Sequence, residues 1–238
     1  MKCSDKKHNH YVIATVKEWN IKRFHQFVSE RPGKWTLITD KEELTRENLE
    51  RINPKYIFFP HWSCIVPESV ISNWECVCFH MTDVPFGRGG SPLQNLIVRG
   101  FTETKLTALK MEKELDAGPI YYKVDLSLEG SAQKIFERTS DKVYELIEKI
   151  FLNERKPTPQ TGKVVKFSRR TPEQSEMSKS GDLNNCYNHI RMLDAGSYPK
   201  AFMNYGEFKL EFGNSHFNSE GQLIATVTIS KQSEENKQ

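Results

Sequence analysis

Four apolar runs of strand length lie in the first third of the chain. They are residues 11–16 (Tyr-Val-Ile-Ala-Thr-Val), 35–39 (Trp-Thr-Leu-Ile-Thr), 56–59 (Tyr-Ile-Phe-Phe) and 76–79 (Cys-Val-Cys-Phe). Between the first two, Ile21, Phe24, Phe27 and Val28 recur at helical spacing, and residues 45–52 have the length of a short helix. Runs that are apolar on both faces, alternating with helices, predict a largely parallel sheet covered on both sides. This order constrains where chemistry can sit. In such sheets reactive side chains gather where strands end and the chain turns outward.

The fourth run stops at a histidine, His80, and a proline–glycine loop follows it through residue 90. Ser91 and Pro92 then open a helical pattern with Leu93, Leu96 and Ile97 on one face and Gly100 at its end. Strands are expected at 102–111, with alternation, and at 120–125. An amphipathic helix over 131–152 carries Ile135, Phe136, Val143, Leu146, Ile147 and Ile150. Residues 153–162 are polar, hold Pro157, Pro159 and Gly162, and have the composition of a linker. Beyond them lie a helix near 184–192 and a β-rich stretch over 193–229, with turn signals at 204–206 and 220–221. The expected organisation is a first domain over 1–155, a small β-rich subdomain over 163–230 and a disordered tail over 231–238.

Residues 78–85 (Cys-Phe-His-Met-Thr-Asp-Val-Pro), Arg88-Gly89 and residues 115–120 (Leu-Asp-Ala-Gly-Pro-Ile) together resemble the formyltransferases that use 10-formyltetrahydrofolate. That family carries Asn-x-His-x-Ser-Leu-Leu-Pro, an Arg/Lys-Gly loop and a later Leu-Asp-x-Gly. The resemblance runs from about residue 11 to residue 152. The wording around residues 79–92 resembles nucleotide-sugar N-formyltransferases of pseudaminic and related nonulosonic acid synthesis, a bacterial surface-glycan pathway. It implies the formyltransferase fold: an α/β, Rossmann-like, mostly parallel sheet with helices on both faces, with the small β-rich subdomain behind it. It further implies formyl transfer from 10-formyltetrahydrofolate to the amine of a nucleotide-linked amino sugar, by direct attack through a tetrahedral intermediate.

The resemblance assigns His80 and Asp116 as the catalytic pair: one stabilises the oxyanion, the other takes the proton that leaves the amine. The sequence departs from the family at Cys78, which stands where the usual Asn donates an amide N–H. Asn95 and Thr82 are candidate replacement donors. Thiol chemistry at Cys78 needs a thiolate, and a buried apolar strand disfavours one. Trp62, Ser63, Cys64, Ile65 and Val66 fall on the segment that wraps the pterin, with Glu114 and Leu115 beside it. Trp62 serves equally as a core residue, and His61 as a structural histidine. Lys17, Trp19 and Asn20, at the end of the first strand, are candidate nucleotide contacts, since a helix amino terminus favours an anion. Asn20 is equally a cap. Thr82, Asp83, Phe86 and Arg88 are candidate substrate contacts, with Asp83 alternatively facing water and Arg88 alternatively bracing its loop. Two other functions stay open: a folate- or sugar-binding protein weakened in catalysis by Cys78, and a methionyl-tRNA formyltransferase-like enzyme. The region after Gly162 is short and mixed in charge for the latter.

Composition narrows the partners. A net charge of +3 does not argue for nucleic acid, and none is expected. The first strand lacks Gly-x-Gly-x-x-Gly, which argues against a dinucleotide. Five cysteines without a framework spacing fit a reducing compartment, and Cys76 and Cys78 are expected in the core rather than on a metal. No apolar run approaches membrane-spanning length and residues 1–10 lack a signal core, so a cytoplasmic protein is expected, with a homodimer as one arrangement.

Overall fold

The computed structural model describes residues 9–196 and 198–232. It forms two compact units. Of the described residues, those up to Gly89 with Thr104–Leu126 and Glu137–Lys166 make the first, and Gly90–Glu103, Ser127–Phe136 and those from Phe167 onward make the second.

The first unit is built on β1 (His10–Ala14), β2 (Lys34–Ile38), β3 (Tyr56–Phe59), β4 (Cys76–His80), β6 (Glu103–Lys110) and β7 (Ile120–Ser127). Their order in the sheet is β2-β1-β3-β4-β6-β7. β2, β1, β3 and β4 pair in parallel, and β6 runs antiparallel to β4. Alternate residues part to opposite faces. On one face Val12, Ala14, Ile57, Phe59 and Cys76 pack with Leu49 of α2 (Arg46–Ile52) and Val70 of α3 (Glu68–Ile71). On the other, Tyr11, Trp35 and Phe58 meet Phe27 of α1 (Glu18–Val28) and Phe151 of α5 (Ala132–Asn153) in one aromatic cluster. A fully buried ring such as Phe58 contributes on the order of 2–3 kcal/mol through burial alone. This two-sided burial explains the near-continuous apolar strands. It also corrects the alternation expected in β6, whose residues Leu106 to Leu109 are all fully buried because the strand lies inside the sheet.

Local chemistry sets the helix ends. Thr45 caps α2 by accepting from Asn48 N, and Asn53 ends it in the left-handed region. The 80–90 loop contains a short strand, β5 (Phe86–Gly89), paired with β8 (Val165–Phe167). The segment expected to be a linker is partly structured: Thr158 pairs with Ile120 through two backbone hydrogen bonds of 2.7 and 2.9 Å. Prolines there stop a helix but leave the carbonyl and amide of Thr158 free to extend the pairing of β7.

In the second unit α4 (Pro92–Val98) and α6 (Leu183–Leu193) accompany a three-stranded antiparallel sheet. Its strands are β9 (Ala201–Tyr205), β10 (Phe208–Phe217) and β11 (Leu223–Lys231), in the order β11-β10-β9. Gly206 and Gly221, both at positive φ, form the hairpin turns where turn residues were expected. Asp182 caps α6 by accepting from Asn185 N at 2.7 Å. β11 continues to Lys231, one residue into the expected tail; residues 233–238 of that tail, and Cys3, lie outside the described residues. Among the described residues no helix is long and apolar enough to cross a membrane.

Candidate active site

His80 ends β4 and is buried. Its Nε2 lies 2.8 Å from Gly87 O. A carbonyl only accepts, so Nε2 donates to it, and Nδ1 is the ring nitrogen left for other partners. That Nδ1 faces Asp116 Oδ2 at 3.5 Å. Asp116 Oδ2 also accepts from the Gly89 backbone N–H at 2.9 Å, while Oδ1 has no partner among the described residues. One short strand thus fixes both members of the pair, Gly87 holding the imidazole and Gly89 the carboxylate. Both glycines have positive φ, a conformation that side-chain-bearing residues rarely adopt.

Asp116 reaches this place by an indirect route. The loop that carries it starts beside Cys76, at the amino end of β4, where Met111 N donates to Cys76 O, and it returns through Lys110 N→Pro119 O. Asp116 nevertheless meets His80 at the carboxyl end of β4, so the loop folds back along that strand. Asp116 sits in the left-handed region at φ 54°, which costs a non-glycine residue about 1 kcal/mol. Gly118 packs against the strand so closely that a Cβ there would stand 1.9 Å from Lys110 O.

Side chains that the sequence did not single out hold the loop. Gln160, from the segment expected to be a linker, donates from Nε2 to Asp116 O and Gly118 O, each at 2.8 Å. Its Oε1 accepts from Arg88 Nε and Nη2 at 3.1 and 2.8 Å. Arg88 therefore braces its loop. Thr82 is fully buried, donating to Gly87 O at 3.3 Å, while its own carbonyl accepts from Thr107 Oγ1 at 2.8 Å. Lys123 holds Asp83 Oδ1 at 2.5 Å and Val84 O at 2.6 Å. Phe86 is half-buried on β5. A lone Gln in a Pro-rich run, or a Lys in the middle of a strand, carries no motif.

Cys78 lies two residues before His80, on the sheet face where it packs with the α2 and α3 core. Burial, and then the charge of Asp116, push its thiol far above the ordinary range, so the thiolate is strongly disfavoured. Asn95, in the second unit, donates from Nδ2 to the carbonyls of Gly90, Ser91 and Ser168 at 2.9–3.1 Å, and its Oδ1 accepts from Arg99.

Around the exit of β3, Val66 is buried, Ser63 and Ile65 are exposed and Cys64 is half-buried. Ile65 is 95% exposed. Trp62 is half-buried, its ring against Phe59, and its buried Nε1 has no hydrogen-bond partner among the described residues. Glu114 and Leu115 are exposed on the Asp116 loop. Asn20 is fully buried: Nδ2 donates to Pro60 O and meets His61 Nδ1 at 3.0 Å, and Oδ1 accepts from Ser140 at 2.7 Å. It ties α1, the β3 exit and α5 together. His61 is held neutral, burial and then the nearby Lys17 lowering its pKa to about 4. Lys17 in turn stands 5.9 Å over the Trp19 ring. Among the described residues no three His, Cys, Asp or Glu side chains gather as a metal site.

Residues 172–230 match the family model described as "Methionyl-tRNA formyltransferase, C-terminal domain". A solved methionyl-tRNA formyltransferase from Clostridium thermocellum is 46% identical, covering 94% of this chain and 100% of that one, with a TM-score of 0.92. A curated methionyl-tRNA formyltransferase from Nitratiruptor sp. is 32% identical over 114 residues, 47% of this chain and 38% of that protein. The chain spans 52–56% of the length of other curated relatives. A 4-N formyltransferase from Francisella tularensis shares the fold at a TM-score of 0.66, covering 92% and 96% of the two chains, with 13% identity.

These findings correct the expected acceptor. The nucleotide-sugar reading, with its pseudaminic acid pathway, gives way to relatives named for methionyl-tRNA, and the expectation of no nucleic-acid partner falls with it. That expectation rested on modest net charge and on a short C-terminal region of mixed sign. Net charge speaks to association and solubility, not to which fold a segment adopts, and the segment after Gly162 is the part that matches the C-terminal domain. Its identity to a solved relative along that relative's whole length shows that the chain belongs to the methionyl-tRNA formyltransferase family.

Proposed function

We propose that this protein transfers a formyl group from 10-formyltetrahydrofolate to the amino group of methionyl-tRNA. The observation that carries the chemistry is the buried His80–Asp116 pair, fixed by the Gly87 carbonyl and the Gly89 amide. The acceptor is supported by the 46% identity to the Clostridium thermocellum protein and by the match over residues 172–230.

The segment after β3 fits a folate. The buried, unpartnered Nε1 of Trp62 offers a donor, and Ile65 and Leu115 offer exposed apolar surface, which suits a flat heterocycle with polar edges. When bound, the folate supplies an activated formyl carbon. The chain supplies the proton handling. Asp116 Oδ1 takes the proton that the acceptor amine gives up as the new C–N bond forms, and hands it on to the departing folate nitrogen as the old C–N bond breaks. His80 is kept in one orientation by Gly87 O, with its Nδ1 edge on the carboxylate's other oxygen, Oδ2, at 3.5 Å. The closed protein surroundings strengthen both interactions. Cys78 takes no covalent part, its thiol being held protonated.

A transfer assay with labelled 10-formyltetrahydrofolate, comparing methionyl-tRNA with UDP- and dTDP-linked amino sugars, tests the assignment. Label on methionyl-tRNA is expected. Label on a sugar and none on the tRNA would overturn it.

A further inference from the structure

We propose that Gln160 is a positioning residue for catalysis: its amide locks the Asp116 loop in the left-handed geometry that aims the carboxylate at His80. The inference rests on the proton-handling role of Asp116 proposed above.

The geometry is specific. The two carbonyls that accept from Gln160, those of Asp116 and Gly118, bracket Ala117. The donors that Gln160 accepts from belong to Arg88, which lies between Gly87, the anchor of His80, and Gly89, the anchor of Asp116. Gln160 therefore ties the backbone of the Asp116 loop to the strand that orients both catalytic side chains. The Asp116–Gly89 bond makes the same connection through a side chain. Only a group with two donors at one end and an acceptor at the other fits both sets of partners, and the Gln amide is that group.

The position of Gln160 is itself held. Thr158, two residues earlier, is zipped to Ile120 by two backbone bonds, and Val165 N donates to Pro85 O at 3.0 Å. The segment from 158 to 165 is thus anchored next to the Asp116 loop at one end and next to β5 at the other. The pairing of Arg88 with Glu114 at 3.8 Å is looser than its contact with Gln160 and offers no substitute lock.

The test uses the full chain with Gln160→Glu, Gln160→Ala and Gln160→Met. Glu keeps an acceptor for Arg88 and removes the donors to Asp116 O and Gly118 O; Met fills the space with neither. In all three, kcat is expected to fall about tenfold or more while KM for both substrates moves less than about twofold, the pattern of a misaimed catalytic group. Hydrogen exchange at the Gly89 amide, whose acceptor is Asp116 Oδ2, is expected to quicken in each variant while the β1 and β3 amides stay protected. Wild-type Gly89 protection in a folded Gln160→Glu protein would overturn the proposal, as would wild-type kcat. If Ala melts early, Met and Glu decide by the same measures. The exchange measurement needs no substrate, so it judges Gln160 even if the native protein fails to formylate methionyl-tRNA, a result that would count against the function alone.

Discussion

A backbone amide and an imidazole share one carboxylate oxygen. Gly89 and His80 both address Asp116 Oδ2, which leaves Oδ1 without a partner among the described residues, the oxygen to which the proposed mechanism gives the amine's proton. Asp116→Asn tests this directly. Asn tolerates the left-handed backbone and still accepts from Gly89, so the fold should persist while proton acceptance is lost. A fall in kcat of about 10²–10⁴ is expected in the transfer assay, with the thermal midpoint little changed. His80→Asn should fall within the same range; full activity in either variant would remove the pair from the mechanism. Cys78→Ser keeps a small donor and removes the thiol. It should retain turnover within about tenfold, since a hydroxyl of similar size replaces a weaker thiol donor, and mass spectrometry of wild type with folate but no acceptor should show no formylated enzyme. A trapped adduct together with an inactive Ser variant would restore covalent chemistry.

At the scale of elements, the Asp116 loop is the weak link that packing makes rigid. It rises from the amino end of β4, turns through an unfavourable φ and is pressed onto Lys110. Gly118→Ala puts a methyl group where backbone already stands, 1.9 Å from Lys110 O, and no side-chain rotation relieves it. The loop must lift from β6, which also carries Asp116 away from Gly89. Urea denaturation should report a loss on the order of 3–5 kcal/mol, at the upper end for single substitutions, and turnover should fall with it. A Gly118→Ala protein with native stability would mean that the loop is free to shift without cost.

For the whole molecule, the buried histidine behind the first βα loop predicts acid sensitivity. His61 is lowered from 6.5 to about 4, by burial first and by Lys17 second. Between those values the unfolded chain binds a proton that the folded chain refuses, so stability is lost as pH falls through 6.5 toward 4. The loss amounts to roughly 3 kcal/mol at the low end. His10 and His189 are lowered by burial too and act in the same direction. Thermal midpoints measured from pH 7 to pH 4 should drop steadily, and His61→Asn, which suits the positive φ of that position, should flatten the curve. An unchanged slope in that variant would place the acid lability elsewhere.

The strand runs, the helix periodicity and the His80 corner were legible because burial on both faces of a parallel sheet leaves a mark on every residue of a strand. The pairing of His80 with Asp116 was named through a family pattern, and the chain's own spacing, 36 residues apart, did not specify it. What the sequence left undecided came from contacts between distant segments. Arg88 had two roles open, and the structure adds a partner 72 residues away, Gln160, which no local pattern announced. Asn20 was open between a ligand contact and a structural residue, and three partners from other elements buried it. The polar 153–162 stretch has linker composition, yet one backbone bridge and one amide place it beside the Asp116 loop. Local propensity and periodicity record what a residue's neighbours in sequence demand. Hydrogen bonds to backbone carbonyls leave no such record, because any main chain offers them and only the fold decides which one arrives.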